Sequence, residues 1–254
     1  MRYAARVEYD GTGFAGFQAQ PGARTVQGEL EAALRGISGG GRIRVDGAGR
    51  TDAGVHATGQ VISFTWTGRR MAATALGRAI VAVLPPDVTI GRLRRVPPGF
   101  SPRRAATQRE YRYTIWNGPR SPMRERYALG VREPLDAPAM HAAAQVLVGR
   151  HDFSAFGGKH RQPIRTLIGV RVRRTGRTVT VDVTGDAFLR QMVRSIVAAL
   201  LRIGHGTATA TDLEAALRSR DRVFAGQVAP PHGLCLRRVV IGEDQRADMG
   251  KARG

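Results

Sequence analysis

Apolar and polar positions alternate from the second residue of this chain. Tyr3, Ala5, Val7 and Tyr9 stand against Arg2, Arg6 and Glu8, the period of a half-buried strand. Thr25 then precedes Val26, Leu30, Ala33, Leu34 and Ile37, spaced as one face of a helix that Thr25 can cap. Ile43 to Gly47 and Gly59 to Trp66 read as two further strands. Met71 to Val83 reads as a helix stopped by Leu84-Pro85-Pro86, and Val88 to Val96 as a fourth strand. The order β-α-β-β-α-β is the split βαβ arrangement, an antiparallel sheet with helices on one face.

Pro97-Pro98-Gly99 and Ser101-Pro102 make a connector, and the pattern repeats after it. Thr107 to Trp116 alternates, with Tyr111, Tyr113 and Ile115 on one face and Glu110 and Arg112 on the other. Asp136 precedes a helix whose stripe is Met140, Ala143, Ala144, Leu147 and Val148. Thr166 to Arg173 and Thr178 to Thr184 form a hairpin, and Phe188 to Ile203 reads as one long, largely buried helix. Thr211 and Glu214 read as the capping box of a short helix, and Leu234 to Ile241 closes the set. The expected organisation is therefore an internally duplicated α+β chain, with halves at 1–98 and 99–242 and a cleft between them. The polar, aperiodic stretch 243–254 is expected to be a disordered tail.

Charge changes the picture. Forty Lys and Arg residues against 20 Asp and Glu leave a formal +20, which calls for a polyanionic partner, nucleic acid before membrane. Nearly all the cations are arginine, whose planar fork grips phosphates and stacks on bases. Cys235 is the single cysteine, so no intrachain disulfide or cysteine-rich zinc site is available, and a reducing, cytoplasmic location is the expectation. No run of about 18 apolar residues occurs, which argues against a membrane span.

Candidate chemistry concentrates in Gly47-Ala48-Gly49-Arg50-Thr51-Asp52-Ala53-Gly54-Val55-His56, a glycine-flanked loop between two strands. Arg50 and Asp52 are two apart, so an extended backbone would project both to the same side. A carboxylate near a cation can serve as nucleophile, base or metal ligand. Asp52 could equally cap backbone N–H groups of a turn, and the local sequence leaves both readings open.

Tyr111 could stack on a flipped base or simply pack on its sheet. Arg194 interrupts an apolar run, so it needs an anionic partner: a catalytic carboxylate or a phosphate. His56, His151 and His205 are scattered, and none shows metal-ligand spacing with another His or Cys. Gly11 to Phe17 lacks the P-loop and dinucleotide fingerprints and reads as a nucleic-acid-facing loop or a plain connection.

Gly49-Arg50-Thr51-Asp52-Ala53-Gly54-Val55-His56-Ala57-Thr58-Gly59-Gln60-Val61 closely resembles the signature of the tRNA pseudouridine synthase A (TruA) family. Further matches follow in order. They are Val7 to Thr12, Thr25 to Gly28, Phe100 to Arg103, Glu110 to Tyr113, Asp152 to Phe156, Phe188 to Val197 and Gly233 to Leu236, so the resemblance spans roughly residues 3 to 241. Two segments depart from it. Val81-Ala82-Val83 stands where the family carries an Asn-rich stretch, and Arg161 to Arg165 fits less tightly.

The resemblance implies two tandem ferredoxin-like halves forming an extended, mainly antiparallel sheet, with helices on one face and a central basic cleft. It implies an enzyme that isomerises uridine to pseudouridine in the tRNA anticodon stem-loop, at positions 38 to 40. That enzyme would work as a homodimer without cofactor or metal. Carried onto this chain, Asp52 would be the nucleophile and Arg194 its ion-pair partner. Tyr111 would stack on the target uracil and Leu234 would line the other side of the pocket. Arg50 would help extrude the nucleotide or hold its phosphate. Two other classes compete: a non-catalytic RNA-binding protein, and a metal-dependent nuclease using Asp10, Asp46 and Asp52.

Overall fold

The computed structural model of the chain describes residues 1–157, 161–220, 222 and 226–242, so the expected tail at 243–254 lies outside the described residues. In chain order the elements are β1 (Arg2–Tyr9), α1 (Val26–Ser38), β2 (Val45–Gly47), β3 (His56–Thr65), α2 (Ala73–Val83), β4 (Val88–Ile90), β5 (Arg94–Arg95), α3 (Pro102–Ala105) and β6 (Ala106–Asn117). They continue with α4 (Pro122–Glu125), β7 (Leu129–Val131), α5 (Ala137–Ala144), β8 (Gly149–Asp152), β9 (Ile164–Thr175), β10 (Thr178–Gly185), α6 (Met192–Gly204), α7 (Ala210–Ser219) and β11 (Leu234–Ile241). This is the α+β class the pattern predicts. The chain divides into two compact units: Met1–Thr107 with the chain from Leu236 onward, and Gln108–Cys235.

In the first unit the strands run β4-β1-β3-β11, with β2 also paired to β3 and β5 to β1. The pairings of β1 with β3, β4 and β5 are all antiparallel. Thr25 caps α1 as its position implies, its hydroxyl oxygen accepting from the Gly28 N–H at 3.2 Å. The apolar stripe of that helix buries Val26, Leu30 and Leu34, and α2 buries Leu76 and Ile80. Tyr3, Val7, Ile62 and Phe64 supply the sheet's share of the core. The fourth strand is not continuous from Val88 to Val96. Val7 faces Ile90 while Ala4 faces Arg94, so one extra residue must leave the ladder between β4 and β5.

The second unit orders its strands β6-β10-β9-β8, antiparallel throughout, with β7 parallel to the end of β6. Tyr111, Tyr113 and Ile115 of β6 are buried as their alternation requires. Asp136 caps α5, accepting from the Ala139 N–H at 2.8 Å. Met140, Ala144 and Leu147 are buried beneath it, whereas Val148 is exposed.

Two expectations here need correction. The long helix begins at Met192 rather than Phe188, because Gln191 takes a left-handed conformation (φ 63°) that cannot continue a right-handed helix. Arg190 therefore lies outside the helix that carries Arg194. The capping box of α7 is made by Thr209 and Asp212, two residues earlier than the Thr211–Glu214 pair. Among the described residues, no helix is long and apolar enough to cross a membrane.

Candidate active site

The first unit carries Arg50 and Asp52 in the irregular segment that joins β2 to β3. Neither residue is in a strand, so period-two alternation does not govern them. Arg50 is exposed and Asp52 half-buried. The Asp52 carbonyl accepts from the Val55 N–H at 3.2 Å, closing a tight turn in which Gly54 has φ 77°.

This turn is propped from behind by the stretch Tyr9 to Phe17. The Phe17 N–H donates to the Thr51 carbonyl at 3.1 Å, and the Gly54 N–H donates to the Phe14 carbonyl at 3.2 Å. The hydroxyls of Tyr9 and Thr51 are 2.8 Å apart, both in buried surroundings. The Gly11 N–H lies 2.9 Å from Nδ1 of buried His56, and Asp10 Oδ1 lies 3.1 Å from the same nitrogen. With Nδ1 unprotonated the ring accepts the Gly11 N–H, whereas a hydrogen on Nδ1 would be donated to Asp10.

The backbones approach too closely for side chains. A Cβ on Gly11 would sit 2.1 Å from the Val55 oxygen, and one on Gly16 would sit 2.9 Å from the Thr51 oxygen. The Gly11 to Phe17 segment is thus the backing of the Asp52 turn.

On its other flank the turn is tied to β3. Gln60, fully buried, donates from Nε2 to the Gly49 carbonyl at 2.8 Å, and the Ala48 N–H donates to the Val61 carbonyl at 2.8 Å. Asp52 therefore sits between fixed points on both sides.

The second unit carries Tyr111, Arg194 and Leu234. The Tyr111 ring is nearly buried on β6 and meets Phe188 edge to face, with centroids 5.0 Å apart. Half-buried Arg194 donates from Nε to the Ala229 carbonyl at 2.7 Å, and the Ala229 N–H donates back to the Arg194 carbonyl at 3.2 Å. The Tyr113 hydroxyl donates to the Pro230 carbonyl at 2.9 Å.

Burial pushes the Tyr113 hydroxyl above its ordinary pKa, with the positive charge of Arg194 opposing that rise. A Cβ on Gly233 would lie 2.6 Å from the Tyr113 ring, so only glycine lets the chain cross it. The next residue is Leu234, buried at the start of β11. Arg194 and Tyr113 together hold the segment that delivers Leu234.

Sequence reasoning passed over Tyr9, Gly16, His56 and Gln60 as supports of the Asp52 turn. The signal for Gln60 was present: it is a polar residue at a position of β3 that packs inward. Among the nuclease candidates, Asp46 is engaged by Arg2 at 2.7 Å. No group of three or more His, Cys, Asp or Glu among the described residues could hold a metal ion.

The family model described as tRNA pseudouridine synthase matches residues 5–98 and 143–240. The tRNA pseudouridine synthase A of Shouchella clausii (strain KSM-K16) is 42% identical over 246 residues, covering 95% of this chain and 94% of that protein. The protein of the same description from Thermosipho melanesiensis is 42% identical over 243 residues, 94% of this chain and 99% of that protein. Its counterpart in Methylococcus capsulatus (strain ATCC 33009 / NCIMB 11132 / Bath) is also 42% identical, over 248 residues, 96% of this chain and 91% of that protein.

Proposed function

This chain belongs to the tRNA pseudouridine synthase family, an isomerase acting on uridine in tRNA, and from that premise we propose how its own residues perform the reaction. The reaction breaks the N1–C1′ glycosidic bond, turns the freed uracil and rejoins it through C5, whose proton is lost to solvent while N1 gains one. Asp52 is the nucleophile. The observation that carries this assignment is its place in the turn, a half-buried carboxylate between the anchored residues Thr51 and Gly54. A nucleophile must be held in position while the base moves, and such anchoring supplies that.

Arg194 pairs with the Asp52 carboxylate, Tyr111 stacks on the uracil, and Leu234 closes the opposite side so that the detached base is retained. Arg50, exposed in the same loop, grips a phosphate or helps extrude the nucleotide. A base inside a stem costs a few kcal/mol to flip, and arginine–phosphate contacts with an aromatic platform offset that cost. The target is the anticodon stem-loop at positions 38 to 40. The architecture is two tandem ferredoxin-like halves, 1–98 and 99–242, with helices on one face and a basic cleft. The working form is a homodimer in the cytoplasm, without cofactor.

Tritium release from tRNA labelled at uracil C5 tests the assignment. Asp52→Asn is expected to abolish release while leaving tRNA affinity within a few-fold of wild type. Substantial release by this variant would overturn the nucleophile role. A wild-type chain that binds tRNA and releases no tritium would favour non-catalytic RNA binding instead.

A further inference from the structure

We propose that Tyr9 is a positioning residue for the reaction, acting through the Thr51 hydroxyl on the peptide that leads into Asp52. The inference rests on Asp52 being the nucleophile and adds to it the device that aims the carboxylate.

The geometry begins in the sheet. Along β1, Val7 faces Gln60 of β3, but two residues later Tyr9 faces Ala57, three residues back. The extra residue makes a bulge at the very end of the strand, and a bulge turns the side chains beside it away from their regular direction. Here it brings the Tyr9 hydroxyl to 2.8 Å from Thr51 Oγ1, across 42 residues of sequence. Tyr9 is 3% exposed and Thr51 7%, so water does not compete for this bond. The ring is steadied by Phe17, whose centroid is 6.4 Å away, and the Phe17 N–H donates to the Thr51 carbonyl.

Thr51 is therefore fixed at both its side chain and its backbone, and it is the residue immediately before Asp52. On the far side, the Gly54 N–H is fixed by the Phe14 carbonyl. Freeing the Thr51 hydroxyl loosens one of the two points between which Asp52 is strung. A displacement of about 1 Å at a reacting group can lower a rate on the order of a hundredfold. Losing one of several restraints on Thr51 should cost less.

Tyr9→Phe in the full-length chain keeps the ring and removes only the hydroxyl. Measured by C5 tritium release, its kcat is expected to fall by roughly tenfold while KM for tRNA stays within about twofold. Thr51→Val should reproduce the loss, and Thr51→Ser, which keeps the hydroxyl, should recover most of it. The double variant Tyr9→Phe/Thr51→Val should be no slower than the worse single variant, since both remove one interaction.

Tyr9→Phe turning over within twofold of wild type would overturn the proposal. So would a loss confined to KM, or losses that multiply in the double variant. Asp52→Asn run alongside separates the two layers. If it retains turnover, nucleophile and positioning roles fall together. If it is inactive while Tyr9→Phe is unimpaired, only the positioning role falls.

Discussion

Gln60 Nε2 donates to the Gly49 carbonyl oxygen at 2.8 Å, joining the interior of β3 to the loop that carries Asp52. The amide group is fully buried, and its Oε1 accepts from the Val61 N–H at 3.1 Å. A buried amide satisfied at both ends is a fixed peg, whereas a leucine of similar size could meet neither bond.

Gln60→Leu should therefore destabilise the protein by about 1–3 kcal/mol, because the Gly49 carbonyl loses its partner. Urea unfolding followed by circular dichroism measures this. A change under about 0.5 kcal/mol would mean that the bond does not contribute.

Gly16 and Gly22 offer a matched comparison. Both have positive φ, 103° and 70°, but a Cβ on Gly16 would meet the Thr51 oxygen at 2.9 Å while one on Gly22 would meet nothing within 4 Å. Gly22→Ala should cost about 1–2 kcal/mol of backbone strain alone. Gly16→Ala should cost more, and should also lower kcat by displacing Thr51. Equal stabilities for the two variants would refute the close-approach argument.

Tyr113 governs part of the alkaline limit. Burial raises its pKa above the ordinary value, against the pull of Arg194. The folded state then holds the proton more tightly than the unfolded state, so its contribution is intact below about pH 10 and declines as pH rises beyond it. Tyr113→Phe should lower stability near neutrality by about 0.5–1.5 kcal/mol, through loss of the bond to the Pro230 carbonyl. It should also flatten the decline above about pH 10. A wild-type slope in that range, read from chemical unfolding at stepped pH, would contradict this.

The net charge of +20 implies that phosphate contacts dominate tRNA affinity. Binding should weaken steeply between about 50 and 200 mM salt, by on the order of a thousandfold or more if six or more phosphates are neutralised. Filter binding across that series measures the slope. A flat response would exclude a phosphate-dominated interface.

Where a local period carried the signal, the sequence was legible. The stripe of α1 and the Thr25 cap, the alternation of β6, and the α5 cap at Asp136 all form as their spacing dictates. The short strands β5, β7 and β8 span only two to four residues, too few for any period to register. The start of α6 is not legible locally because the apolar pattern runs through Gln191 unbroken, while the backbone there turns left-handed. Choosing between Thr209 and Thr211 as a cap was equally beyond local reading, since each has an acidic residue three positions on.

By itself, then, the amino-acid order determined the longer helices and strands, the basic character and the contiguous Arg50–Asp52 loop, because each resides in neighbouring residues. Only the tertiary structure decided what stands behind that loop. Tyr9, Gly16, Phe17 and Gln60 reach Thr51 and Gly49 through a bulged strand register and close backbone approach. Contacts between residues far apart in the chain depend on how strands pair, and no local period encodes that pairing.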